Sequence, residues 1–127
     1  VAELIEARAE ELSKLQTRDN GKPLAETKAL VMSAAATARY VAAACETMND
    51  DMTTQRATDF MTFSVHEPVG VVAAITPWNS PIASEVQKLA PALAGGNAVV
   101  LKPAEATSLI ALELAKIFEE AGLKQFF

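Results

Sequence analysis

Three polar side chains in the middle of the sequence have types that suit chemistry on a small ligand. Asn79 ends the segment Thr76-Pro77-Trp78-Asn79, which directly follows an apolar run. Its amide can donate two hydrogen bonds to an oxygen that becomes negative. Lys102 and Glu105 follow a second apolar run, and a cation beside a carboxylate can donate to and accept from ligand hydroxyls or bind phosphates. These residues therefore suit an oxyanion site and a hydroxyl- or phosphate-binding site.

Each of these side chains also has a purely structural interpretation. Asn is among the best helix N-caps, and spacing alone favours that role for Asn79. Lys102 alone is most simply a solvated lysine, and Glu105 then stabilises the following helix start by about 0.3–1 kcal/mol. Trp78 alone is more often a packing residue than a ligand platform. The functional interpretation therefore depends on whether the two segments meet.

Residues 69–105 have the pattern of a βαβ unit. The runs 69–75 and 98–101 are apolar and rich in β-branched residues, which is typical of parallel strands buried on both faces. A helical repeat in residues 80–94 lies between them, and the two runs are about 30 residues apart, the size of such a unit. Ligands bind at the carboxyl edge of open α/β sheets, so we expect the three polar side chains to lie together at that edge.

Helical patterns flank this unit. Residues 2–15 and 24–48 each have an apolar stripe, and Asn20-Gly21 separates the two helices. Thr107 is the predicted N-cap of a last helix that runs to Ala121. Within the middle helix, Pro91 either introduces a kink or follows a helix end near residue 89.

The sequence predicts an α/β protein. Residues 60–66 alternate between apolar and polar types, as a half-exposed edge strand does. We therefore expect a single partial domain over residues 1–127, with helices in 1–49, the edge strand in 60–66 and a βαβα unit in 69–121. Its sheet is an incomplete, Rossmann-like parallel sheet, since a full nucleotide-binding half needs more strands.

Composition excludes several classes of protein. Half of the 127 residues are hydrophobic and 21% are charged, so the chain is expected to fold. The net charge is −5 and no Lys/Arg block offsets it, which argues against a nucleic-acid or anionic-membrane partner. The longest uncharged run, residues 68–84, is broken by Gly, Pro and Asn and is shorter than the roughly 20 apolar residues of a membrane span. No secretory signal pattern is visible, and we predict a cytoplasmic protein.

Single cysteine and histidine residues limit the chemistry further. Cys45 is the only cysteine, so no internal disulfide forms, and it lies among alanines as a core residue does. His66 is the only histidine, and its place on the polar face of a strand predicts a solvated side chain. We predict no metal site. No glycine-rich phosphate-binding motif is present either.

The sequence resembles the aldehyde dehydrogenase superfamily over nearly its whole length. The stretches HEPVGVVAAITPWNSP and KLAPALAGGNAVVLKPAE, followed by a helix that ends EEAGL, are similar to the family's first nucleotide-binding strands. RDNGKPLAET is similar to its turn between two N-terminal helices. The motifs PWN and KPAE at this spacing are highly specific, and only residues 124–127 depart from the family pattern. The chain starts inside a helical pattern and ends just after a helix stop, so we expect both ends to be cut from something longer.

The resemblance implies roles for the residues at the strand ends. Asn79 resembles the asparagine that, with the backbone amide of the catalytic cysteine, stabilises the thiohemiacetal oxygen. Lys102 and Glu105 resemble the pair that binds the adenosine ribose hydroxyls. The carboxylate of Glu105 would repel a 2′-phosphate, so NAD is the expected cofactor, with NADP as the alternative. The positions that resemble the lining of the cofactor cleft are Ile75, Thr76, Pro77 and Trp78, and Ser80 resembles a position near the substrate entrance.

The resemblance also implies that this chain holds only part of the machinery. The family's nucleophilic cysteine, general-base glutamate and glycine-rich turn have no match here. We therefore expect the N-terminal piece of an enzyme that oxidises an aldehyde to a carboxylic acid with NAD(P)+, and expect the isolated chain to be inactive. The alternatives are a non-catalytic interaction or assembly module and, less favoured, a free-standing mononucleotide binder that uses Lys102 and Glu105.

A two-strand sheet also predicts uncovered apolar surface. Exposed patches above a few hundred Å² usually mark an association surface. We therefore expect the partner of this chain to be the remainder of the same enzyme. The isolated chain is expected either to associate with a second copy of itself or to be marginally stable.

Overall fold

The computed structural model describes residues 1–54 and 57–123. Residues 124–127, which are expected to depart from the family pattern, lie outside the described residues. The described residues form, in chain order, α1 (Ala2–Ala7), α2 (Ala9–Asn20), α3 (Leu24–Cys45), β1 (Val71–Ile75), α4 (Pro81–Ala94), β2 (Ala98–Lys102), a short 3₁₀ helix (Glu105–Thr107) and α5 (Leu109–Glu120). None of the described helices combines the length and apolar character that crossing a membrane requires.

The two strands form the predicted parallel βαβ unit. Val71 pairs with Ala98 and Ile75 with Lys102, so the carboxyl ends of both strands lie at one edge. Helix α4 connects the strands and buries its apolar stripe, and the α/β fold with an incomplete parallel sheet is confirmed. Only one face of the sheet is covered, because Val71, Ile75 and Val100 are between 61% and 69% exposed. The expectation that these strands are buried on both faces is therefore wrong for this chain.

Helix α4 continues through Pro91 and ends at Ala94. A proline in a helix interior lacks the N–H of a regular helical bond, yet the turn after Pro91 still closes, since the Gly95 amide donates to the Pro91 carbonyl at 3.0 Å. Gly96 then has φ +77°, which glycine adopts without steric cost. The interpretation that ended the helix near residue 89 is therefore wrong.

The N-terminal helices differ from prediction in their bounds. Residues 2–15 form two helices separated at Arg8, and the second continues to Asn20 before Gly21, with φ +75°, ends it. The guanidinium of Arg8 binds Glu11 and also Glu113 on α5. The predicted helix ended at residue 15, whereas Gln16 lies within α2 and is fully buried. Helix α3 ends at Cys45, three residues before the predicted end.

Residues 60–66 do not form the predicted edge strand. The structure has a single antiparallel bridge there, between Met52 and Phe63, supported by backbone bonds from Thr53 to Thr62 and from Ser64 to Asp51. The alternating pattern is real, but the apolar side chains of this segment are exposed. A lone two-stranded pairing with no buried face is marginal, which explains why a regular strand does not develop.

The N-terminus of α5 also differs from prediction. Thr107 is buried in the 3₁₀ helix, and Ser108 occupies the N-cap position without a side-chain capping bond. The expected inward stripe is present, since Ile110, Leu114 and Ile117 are fully buried.

Candidate functional site

The two polar segments predicted to meet do so at the carboxyl edge of the sheet. The backbone amide of Thr76 donates to the carbonyl of Lys102 at 3.2 Å, one residue beyond the last strand pair. The segment from Thr76 to Asn79 and the segment from Lys102 to Glu105 therefore leave the sheet side by side. Ile75, Pro77 and Trp78 are exposed at this edge, while Thr76 is buried and its hydroxyl has no hydrogen-bond partner among the described residues.

Asn79 does not cap the helix that follows it. Helix α4 begins at Pro81 with Ser80 at the N-cap position, and no side chain of its own caps it. Asn79 is exposed, and within the part of the chain that the structure describes its amide makes no hydrogen bond. Of the two interpretations of this residue, the structure does not support the N-cap. The amide is left free to bind another molecule at the sheet edge.

Lys102 and Glu105 form an ion pair rather than two separately solvated groups. Lys102 Nζ lies 2.5 Å from Glu105 Oε1 and also donates to the Pro103 carbonyl at 3.1 Å. The hydrogen bond from Lys102 is the main cause that holds the pKa of Glu105 below its usual value. Both side chains are exposed. The pair therefore presents a cationic donor and an anionic acceptor to the same patch of solvent.

Sequence reasoning missed two residues on α2 that contact the helices following these segments. Gln16 is fully buried, and its Oε1 accepts a hydrogen bond from the Ile82 amide in the first turn of α4, at 3.2 Å. Asp19 Oδ2 accepts from the Leu109 amide at the start of α5, at 3.1 Å. No pattern near either residue signals these contacts, because the partners lie 66 and 90 residues away in the sequence.

Glu85 is a third residue that was missed. It is fully buried, and neither carboxylate oxygen has a hydrogen-bond partner among the described residues. Burial, with a smaller contribution from the charge of Asp19, raises the pKa of Glu85 to about 7. The sequence did hold a signal for it, since Glu85 lies on the same helical stripe as Ile82 and Leu89.

The remaining reactive side chains lie elsewhere. Cys45 is half-buried near the end of α3 and its thiol donates to the Val41 carbonyl at 3.1 Å. It lines an apolar groove of about 550 Å³ beside the C-terminal end of α4, which is the end remote from Asn79. His66 Nδ1 lies 2.6 Å from Asp50 Oδ1 on the surface. The described residues contain no group of three His, Cys, Asp or Glu side chains arranged to hold a metal ion.

Comparisons with known proteins identify the family. Residues 1–125 match the model of the aldehyde dehydrogenase family. The chain is 44% identical over 124 residues to the NADP/NAD-dependent aldehyde dehydrogenase PuuC of Escherichia coli. The matched region covers 97% of this chain and 25% of that protein.

Solved structures agree with the sequence comparison. An NADP-dependent enzyme of E. coli superposes with a TM-score of 0.92 at 38% identity, over 95% of this chain and 25% of that one. Betaine aldehyde dehydrogenase of Staphylococcus aureus, solved with NAD+, has a TM-score of 0.92 at 37% identity, again over 95% of this chain and 25% of that one. The chain thus spans about a quarter of the length of the relatives that it matches. It belongs to the aldehyde dehydrogenase family.

Proposed function

We propose that this chain is the N-terminal part of an oxidoreductase that oxidises an aldehyde to a carboxylic acid with NAD(P)+. The observation that carries the proposal is the arrangement at the sheet edge: the segment that holds the exposed, unpartnered Asn79 amide and the segment that holds the Lys102–Glu105 ion pair leave the sheet at the same edge. One group suits an oxygen that gains negative charge, and the other suits a diol. The dependence of the E. coli relative on NADP or NAD supports the same assignment.

In this proposal Asn79 acts on the oxygen of the aldehyde. When a cysteine thiolate supplied by the rest of the enzyme attacks the carbonyl carbon, the carbonyl oxygen becomes an oxyanion in a thiohemiacetal. The Asn79 side-chain amide donates a hydrogen bond to that oxygen. A donor held in place before the reaction stabilises the developing charge without further reorganisation. In this proposal the rest of the enzyme also supplies the general base.

The exposed groups at the edge fit a dinucleotide. Lys102 would donate to the ribose hydroxyls and Glu105 would accept from them, while the exposed faces of Ile75 and Trp78 would line the cleft. When bound, NAD(P)+ supplies the hydride acceptor for the oxidation. Thr76 is buried, so its side chain positions the segment rather than lining an open cleft.

The lone, free cysteine is consistent with a reducing compartment such as the cytoplasm.

Cofactor choice provides the test of this assignment. In the complete enzyme we expect Glu105→Gln to lower the ratio of kcat/KM for NAD+ to that for NADP+ by roughly tenfold, because the repulsion of a 2′-phosphate is removed. Lys102→Met should weaken the binding of both cofactors by about ten- to a hundredfold through the loss of a charged donor. The dissociation constants of NAD+ and NADP+, and kcat/KM with each cofactor, measure these effects.

An exposed ion pair on α2 supplies the matched controls for this test. Lys14 Nζ lies 2.6 Å from Glu10 Oε1 on the surface. Lys14→Met and Glu10→Gln therefore make the same changes away from the sheet edge. We expect both controls to bind NAD+ and NADP+ as the wild type does. Unchanged cofactor constants in both Lys102→Met and Glu105→Gln would refute the assignment of this pair.

The isolated 127-residue chain should have no dehydrogenase activity. It contains the proposed oxyanion donor and part of the proposed cofactor cleft, but its one thiol donates to a backbone carbonyl on α3, away from the sheet edge. We expect no NADH formation with NAD+ and a panel of aldehydes above the rate of a Cys45→Ala variant. Turnover that depends on Cys45 would overturn this part of the proposal.

The exposed apolar face of the sheet bears on the partner of the chain. Val71, Ile75 and Val100 are exposed together on that face, and we propose that the remainder of the enzyme covers them. Alone, the chain should self-associate through this face. A monodisperse monomer in analytical ultracentrifugation would count against that expectation.

A further inference from the structure

Helix α4 receives its N-terminal cap from a distant part of the chain. The first N–H groups of a helix lack partners within the helix. Ser80 makes no side-chain capping bond and no acidic residue lies in the first turn of α4. Pro81 has no N–H, so the Ile82 amide is the first that needs an acceptor, and the buried Gln16 of α2 provides it at 3.2 Å. Because Gln16 is fully buried, water cannot readily replace it.

Helix α5 is capped in the same way and from the same helix. Ser108 makes no side-chain capping bond, and Asp19 accepts a hydrogen bond from the Leu109 amide at 3.1 Å. A carboxylate at this end is also stabilised by the helix dipole. Gln16 and Asp19 are three residues apart in α2, and residues at that spacing share one face of a helix. We call these two residues the capping face of α2.

The capping face fixes the two helices that directly follow the candidate site. Asn79 lies two residues before α4 begins, and Glu105 lies in the 3₁₀ helix that leads into α5. Two side chains on one helix therefore tie the starts of both helices to each other, in addition to the packing of α4 and α5. The strands add only the bond from Thr76 to Lys102 beyond their last pair.

We propose that Gln16 and Asp19 are positioning residues for the two halves of the site, Gln16 for Asn79 and Asp19 for the Lys102–Glu105 pair. This inference rests on the proposed function. Neither residue hydrogen-bonds Asn79, Lys102 or Glu105, so each acts through the helix that it caps. Their effects should therefore separate: loss of Gln16 should disturb the oxyanion donor, and loss of Asp19 should disturb cofactor binding.

Kinetics of the complete enzyme test this separation. Gln16→Met keeps the length of the side chain but removes the acceptor, and we expect it to lower kcat about tenfold while KM for NAD+ stays within about twofold, since small displacements of a reacting group are costly. Asp19→Ala should raise KM for NAD+ about tenfold and leave kcat within about twofold. The start of α5 then loses its capping bond, which loosens the segment that carries the Lys102–Glu105 pair. Asp19→Asn keeps an acceptor and should restore KM.

A merely structural role predicts a different result. General destabilisation lowers the amount of active enzyme, so both variants would lose apparent kcat and keep KM for NAD+. Gln87 on the exposed side of α4 and the exposed Asp59 supply the matched controls Gln87→Met and Asp59→Ala. Equal losses of kcat in Gln16→Met and Asp19→Ala with unchanged KM would overturn the proposal.

Amide hydrogen exchange separates failure of this inference from failure of the proposed function. We expect the Ile82 amide to exchange faster in Gln16→Met and the Leu109 amide to exchange faster in Asp19→Ala, with the buried core amide of Leu114 unchanged. This result does not depend on any catalytic activity. A wild-type enzyme that oxidises no aldehyde would overturn the proposed function, whereas unchanged exchange at both helix starts would overturn the capping face in an active enzyme.

Discussion

Asn79→Ala in the complete enzyme is expected to lower kcat for aldehyde oxidation by about 10²–10³, the loss typical of one oxyanion donor. The dissociation constant of NAD+ should stay unchanged, because the Asn79 amide is proposed to contact the aldehyde oxygen and not the cofactor. Asn79→Asp should be at least as slow, since a carboxylate in this place repels the oxyanion. Initial rates of NADH formation at saturating aldehyde and a binding titration with NAD+ measure the two quantities.

Another exposed asparagine provides the control for this prediction. Asn49 follows α3, and its amide donates to the Thr47 carbonyl, so Asn49→Ala removes the same group far from the sheet edge. We expect it to have wild-type kcat. If Asn79→Ala keeps kcat within about threefold of wild type, or if Asn79→Asp is fully active, the side chain is not the oxyanion donor.

Folding stability is expected to fall by about 3 kcal/mol as pH rises from 4.5 to above 7, because of Glu85. Burial raises the pKa of Glu85 from 4.5 to about 7, so the folded chain keeps a proton that the unfolded chain releases. Its contribution to stability is complete below pH 4.5 and is lost as the pH rises through about 7. Urea denaturation at a series of pH values, converted to the free energy of unfolding, measures this dependence.

Glu85→Gln tests the assignment of that pH dependence to one residue. The amide cannot ionise, so the variant should be more stable than wild type at pH 8 by up to about 3 kcal/mol and close to wild type at pH 5. The exposed Glu119 on α5 supplies the control Glu119→Gln, which should leave the profile unchanged. Parallel profiles for Glu85→Gln and wild type would show that Glu85 is not the titrating group.

The parts of the fold that depend on local sequence were predicted well. Gly21 and Gly96 have positive φ where helices α2 and α4 end, and the pairs Asn20-Gly21 and Gly95-Gly96 predicted these ends. The β-branched runs predicted both strands to within two residues, and the parallel pairing of the strands was predicted from the βαβ pattern. That the segments holding Asn79 and the Lys102–Glu105 pair leave the sheet at one edge was therefore predictable from topology alone. Their roles came from the resemblance and remain proposals.

Features that depend on distant partners were not predictable. The predicted first helix ended at residue 15 and gave no role to Gln16, whose hydrogen-bond partner, the Ile82 amide, lies 66 residues away. Residues 60–66 have the alternating pattern of a strand but no buried face to pack against. The pattern therefore predicted a strand where the structure has a single bridge. Thr107 has the type of an N-cap, yet Ser108 takes that position and Asp19 provides the acceptor from another helix.

The central claim is that the two strand ends serve one dehydrogenase site, and a crystal structure of the complete enzyme with NAD+ and an aldehyde tests it most directly. We expect Lys102 Nζ and a Glu105 oxygen within about 3 Å of the adenosine ribose hydroxyls, and the Asn79 amide at the same distance from the aldehyde oxygen. A structure in which the ribose lies away from Lys102 and Glu105, or the aldehyde oxygen lies away from Asn79, would contradict it.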